Sequence, residues 1–124
     1  MSYEDVWIGD LDDPHFSWDG ANWDIANVPR RLSPFFPPRA PFSKLINAIE
    51  HGRFVGKQTD WGGWVAKATK AQIQEFIKEA YAEDETYERR DPVLGHLYDW
   101  MQELLAFVNA LDDEKLYALV AAEL

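Results

Sequence analysis

Residues 91–110 read DPVLGHLYDWMQELLAFVNA, and this stretch determines most of what the sequence predicts about the fold. Asp91 and Pro92 are typical of the N-cap and the first residue of a helix. Apolar residues then recur at helical spacing around about half of the circumference. Because so wide an apolar face must be buried, we predict a central helix at about 92–110. Its apolar residues are Val93, Leu94, Leu97, Trp100, Met101, Leu104, Leu105, Phe107, Val108 and Leu111.

Two other segments have helical periodicity. From about Pro41 to His51, apolar residues recur every three or four positions, and Gly52 suits the position just past a helix end. Thr69 and Gln72 have the spacing of a capping box, in which each side chain bonds to the backbone amide of the other residue. We therefore predict a helix in each segment.

Three segments are predicted to be strands. Val6–Ile8 and Trp64–Ala68 lie in alternating sequence. Leu116–Glu123 fits a strand buried on both faces, but it also fits a helix capped by Asp112. We favour the strand because Asp112–Glu114 suits a turn and because Tyr, Leu and Val suit a buried strand. The predicted fold class is α+β, with a small sheet of about three short strands packed by three helices.

A proline-rich segment separates the first strand from the first helix. Residues 25–49 hold five of the seven prolines and no acidic residue. This density of proline is incompatible with a regular helix or strand through residues 29–40. We predict an ordered irregular segment at 29–40, held against the core by Phe35, Phe36 and Phe42.

Length, charge and composition limit the class of protein. A chain of 124 residues fits a single domain over 1–124. Its net charge of −10 disfavours direct binding to nucleic acid or anionic lipid and would attract a basic partner. Absence of cysteine excludes disulfides and thiolate chemistry. With no visible signal peptide or membrane span, we expect a cytoplasmic protein that has no membrane partner.

No cofactor or metal is predicted. Three residues, not the four of a P-loop, separate Gly52 from Gly56, and Gln58 stands where that motif needs Ser or Thr. The three histidines lack the paired spacing of a zinc site.

Acidic residues are concentrated on the second predicted helix and just after it. Three glutamates recur there every four positions, although like charges at this spacing cost about 0.2–0.5 kcal/mol per pair. Such a ridge is either a solvated face that keeps the protein soluble or a surface that binds a cationic partner. The candidate partner-binding residues are Glu75, Glu79, Glu83, Asp84, Glu85 and Glu88.

Two further sets of residues are candidates for a site. Trp61 and Trp64 flank two glycines, and such a corner suits ring stacking or a protein contact, or else core packing. His96, Asp99 and Glu103 share one edge of the predicted central helix. An imidazole beside two carboxylates has the groups needed for acid–base catalysis, although a half-buried histidine bonded to a nearby acid is the structural alternative.

These observations favour a non-catalytic acidic protein that binds a basic protein. An immunity protein or inhibitor that neutralises a toxin has this physical type. Two alternatives stay open, a binder of small molecules or carbohydrate at the tryptophan corner, and a small enzyme that uses His96, Asp99 and Glu103.

Overall fold

The structure, a computed structural model, describes residues 4–14, 16, 18, 29–37, 41–58, 63–82, 92–93 and 95–123. Within these residues it contains a four-stranded antiparallel sheet and three helices, which confirms the α+β class with one strand more than predicted. The elements in chain order are β1 (Glu4–Gly9), α1 (Pro41–Glu50), β2 (Val55–Gln58), β3 (Gly63–Thr69), α2 (Lys70–Ala80), α3 (Gly95–Asn109) and β4 (Leu116–Glu123).

The last strand occupies the interior of the sheet. The strand order is β1-β4-β3-β2, so β4 pairs with β1 on one side and with β3 on the other. Leu119 lies opposite both Ile8 and Ala66. The preference for a strand over a helix at 116–123 is thus confirmed, since the segment is apolar on both faces and both faces are covered. Its buried residues are Tyr117, Ala118, Leu119, Val120, Ala121 and Ala122.

All three helices pack on one face of the sheet. They share a hydrophobic core with Val6 and Ile8 of β1 and with alternate residues of β3 and β4. A second, smaller cluster on the opposite face contains Trp7, Val65 and Phe16, with Phe35 packed against it. The sheet is therefore covered on both sides, by helices on one and by irregular chain on the other.

The middle helix is α2 and not the helix predicted at about 92–110. It packs against both α1 and α3. On α3, Leu105 and Phe107 of the predicted apolar face are only partly buried. Apolar periodicity shows how much of a helix surface is buried. Which helix lies between the other two depends on where the chain places each helix on the sheet.

The start of α3 also differs from the prediction. The helix begins at Gly95, and Pro92 and Val93 form a turn before it. Val93 is 83% exposed, so it does not belong to the buried face. Asp91 and Leu94 lie outside the described residues. The helical periodicity extends into this segment, but the turn directs Val93 towards solvent.

The proline-rich segment runs along the outer edge of β1, and we call its described part, residues 29–37, the strap. The amide of Leu32 donates to the carbonyl of Ile8 at 2.8 Å. The amide of Phe36 donates to the carbonyl of Val6 at 2.8 Å, and its ring is buried in the main core. Apart from a single bridge between Arg31 and Gly9, residues 29–37 follow an irregular path, while residues 38–40 lie outside the described part of the chain.

The sequence does not predict β2, an edge strand. Only Val55 among its four residues is a large apolar side chain, and it is 67% exposed. Gly56 lies against α1, where an added Cβ would be 2.9 Å from Cγ2 of Ile49. This strand has no local apolar pattern. It forms because it pairs with β3 and packs against α1, which are contacts between distant parts of the chain.

The capping box at the start of α2 is present as predicted. Gln72 N donates to Thr69 Oγ1 at 3.2 Å, and Thr69 N donates to Gln72 Oε1 at 2.9 Å. We expect Thr69→Ala to lower the free energy of unfolding by about 0.5–2 kcal/mol, measured by urea denaturation. Thr69→Ser keeps the hydroxyl and should retain most of the stability. Equal losses in both variants would contradict the capping role.

Candidate functional site

The acidic ridge predicted on the second helix is partly neutralised where the structure describes it. Glu75 and Glu79 are exposed on α2, and the Glu79 carboxylate forms an ion pair with Arg53 from the loop before β2. The remaining candidates, Glu83, Asp84, Glu85 and Glu88, lie outside the described residues. The described part of the ridge is therefore not an unopposed row of negative charge.

A second group of acids lies on α3 and in the turn that follows it. Glu103, Asp112, Asp113 and Glu114 are exposed, and we call these four residues the α3 acidic surface. The sequence has no Lys or Arg between positions 91 and 114. Lys70 approaches this surface from the start of α2, with its Nζ 3.3 Å from Asp113 Oδ1. The absence of basic residues in 91–114 could have identified this surface from the sequence.

The three residues of the acid–base hypothesis lie on the exposed side of α3. His96, Asp99 and Glu103 are each exposed, and His96 is not the half-buried histidine of the structural alternative. The cavities described below are lined by other residues. Acid–base catalysis is most effective where water is excluded, and an exposed helix surface does not exclude it.

The tryptophan corner is described only at one of its two positions. Trp64 is half-buried and packs against the main core on the helical face of the sheet. Trp61 lies outside the described residues. Core packing, the alternative to a binding site, therefore buries much of the Trp64 indole.

A different tryptophan, Trp18, lines a cavity on the other face of the sheet. The ammonium of Lys67 lies 4.2 Å from the centre of its indole ring, and Lys57 Nζ donates to its carbonyl at 3.0 Å. Nearby, Lys115 Nζ lies 3.2 Å from Asp12 Oδ2, and this hydrogen bond raises the pKa of Lys115. The cavity has a volume of about 410 Å³ and is lined by Leu11, Asp12, Trp18, Lys67, Glu114, Lys115 and Leu116.

A cleft of about 300 Å³ separates α1 from α2. Its apolar floor combines a phenylalanine with two alanines, and its rim carries three basic side chains and one acid. Sequence reasoning did not identify this cleft, because its two walls are more than twenty residues apart in the chain. The lining residues are Lys44, Asn47, Ala48, His51, Arg53, Phe76, Glu79 and Ala80.

The described residues contain neither a metal-binding group nor a membrane-spanning helix. Among the residues that the structure describes, no three His, Asp or Glu side chains are grouped so that they could hold a metal ion. No helix in the described part of the chain is both long enough and apolar enough to cross a bilayer.

The chain matches none of the family models, curated proteins or solved structures with which it was compared.

Proposed function

We propose that the protein is a non-catalytic binding protein that engages a basic protein partner. The observation that carries this proposal is the α3 acidic surface, four exposed acids in a segment without Lys or Arg. A net charge of −10 adds a long-range attraction for a cationic partner. Within this class, the function that fits best is that of an immunity protein or inhibitor that neutralises a basic toxin.

The α3 acidic surface supports this function better than the described part of the α2 ridge does. Arg53 already opposes Glu79, so a partner would have to displace or share that ion pair. On the α3 acidic surface, Glu103 lies on the helix and the other three acids lie in the turn that follows it, where Lys70 contacts Asp113. A basic side chain of a partner could pair with Glu103 without first breaking an ion pair to any residue that the structure describes.

The same charge predicts strong dependence of binding on salt. Surface potentials accelerate association at low ionic strength and are screened when the Debye length falls to a few ångströms. A pull-down from source-cell lysate at about 50 mM and about 500 mM salt should capture a basic protein only at the lower concentration. Capture of equal amounts at both concentrations, or of an acidic protein, would contradict the proposal.

We expect Glu103→Lys to slow association with the purified partner by about tenfold at low salt. The matched control is Glu50→Lys, which makes the same charge change at an exposed glutamate of α1. Stopped-flow measurement of tryptophan fluorescence gives both association rates. If the two variants are slowed equally, the attraction comes from net charge alone, and the α3 acidic surface is not the binding site.

A further inference from the structure

The floor of the cleft between α1 and α2 is apolar and preformed. Phe76 is almost fully buried, and its ring meets Phe54 edge to face with centroids 6.0 Å apart. Ala48 of α1 and Ala80 of α2 complete the floor. A volume of about 300 Å³ is at the lower end of the range for small-molecule sites, which are mostly apolar with a few polar groups.

The guanidinium of Arg53 makes two contacts at the rim of this cleft. Its Nη1 contacts Glu79, and its Cζ lies 5.4 Å from the centre of the Phe54 ring. Arginine has five N–H donors in a planar fork. Among the described residues, Nε and Nη2 of Arg53 have no hydrogen-bond partner. These donors remain able to bind an anion.

Lys44 and His51 also line the cleft, and Lys44 adds a positive charge to its rim. Lys44 is exposed, and no ion pair joins it to another described residue. Nδ1 of His51 lies 2.7 Å from the carbonyl oxygen of Asn47. Because a carbonyl only accepts, Nδ1 carries a proton, and Nε2 of the neutral ring is then a hydrogen-bond acceptor.

The α1 residues that line the cleft include one base, Lys44, and no acid. Residues 25–49 contain no acid, although the whole chain carries 22 acidic residues. Among the described residues that line the cleft, Glu79 is the only acid, and it is already paired with Arg53. Repulsion from acids more distant than about 8–10 Å is largely screened at physiological salt, so the local cations dominate there.

We infer that this cleft binds a small carboxylate with an apolar body. The carboxylate lies between Arg53 and Lys44, and the apolar body covers Phe76 and the two alanines. Both parts of the ligand are needed, because the rim provides charge-assisted hydrogen bonds and the floor provides apolar contact. This site does not depend on the proposed protein partner, since it lies on α1 and α2 and not on the α3 acidic surface.

The test uses hexanoate as the probe and an NMR titration of backbone amides in the full chain. We expect saturable shifts centred on Ala48 and Ala80, with a roughly millimolar dissociation constant for so small a ligand. Acetate lacks the apolar body and hexanol lacks the charge, so each should bind at least about tenfold more weakly. These two comparisons use the unaltered protein and do not depend on the folding of a variant.

A pair of variants separates the site from general charge effects. Arg53→Gln should weaken hexanoate binding by about tenfold or more. Lys78→Gln makes the same charge change at an exposed residue of α2 that does not line the cleft, and it should leave binding unchanged. The inference is overturned if shifts appear away from the cleft or do not saturate, if hexanol binds as well as hexanoate, or if the two variants behave alike.

Discussion

Leu119→Ala is expected to lower the free energy of unfolding by about 2–5 kcal/mol. Leu119 is fully buried on the interior strand β4, between β1 and β3 and beneath the helices. Alanine removes its apolar contacts and leaves a cavity that neighbours anchored in two adjacent strands cannot easily fill. Because natural domains are stable by only about 5–15 kcal/mol, this is a large fraction of the total.

The matched control is Leu116→Ala in the same strand. Leu116 is 46% exposed, so the same substitution should cost less than about 1 kcal/mol. Urea denaturation followed by tryptophan fluorescence gives both values, provided that the dependence on denaturant stays unchanged. Similar losses at the two positions would contradict the placement of β4 in the interior of the sheet.

Ser33→Ala is expected to cost about 1–3 kcal/mol, which is large for the loss of one hydroxyl. Ser33 is the buried polar residue of the strap, and only 1% of its surface is exposed. Its Oγ accepts a hydrogen bond from Ile8 N at 2.8 Å and donates to the carbonyl of Pro34 at 2.8 Å. Alanine would leave the amide of Ile8 buried without its partner, and such a group is costly to bury.

The same measurement on Ser43→Ala provides the control. Ser43 is an exposed serine of α1, so its hydroxyl is solvated, and the change should stay within about 0.5 kcal/mol. Hydrogen exchange of the Ile8 amide adds a local readout, since its protection should fall in Ser33→Ala. An unchanged exchange rate would show that the Ser33 hydroxyl does not protect the Ile8 amide.

The predicted elements that agree with the structure are those whose cause is local. The capping box at Thr69 involves residues three positions apart, and Gly52 has a φ of 77°, which suits the predicted helix end. The strand at 116–123 follows from a run of apolar residues long enough for both faces. Periodicity and caps are read within one turn or a few strand residues, so the sequence alone identifies them.

The neutralisation of the α2 ridge and the cleft between α1 and α2 were harder to predict, because their groups come from distant positions. Arg53 and Glu79 are 26 residues apart, and their ion pair changes the interpretation of the α2 ridge. Acids and bases can be counted along a sequence, but which carboxylate an arginine reaches depends on how the helices pack. The same reason explains why the cleft between α1 and α2 was missed.

By itself, the sequence determined the α+β class, the three helices found among the described residues and the strong negative charge. Tertiary structure alone decided that β4 lies inside the sheet, that α2 is the middle helix and that the strap covers the edge of β1. It also decided that β2 is a strand despite its polar sequence. The physical reason is that local sequence patterns indicate which residues are buried. Which segments become neighbours in space is determined by packing and hydrogen bonding between parts far apart in the chain.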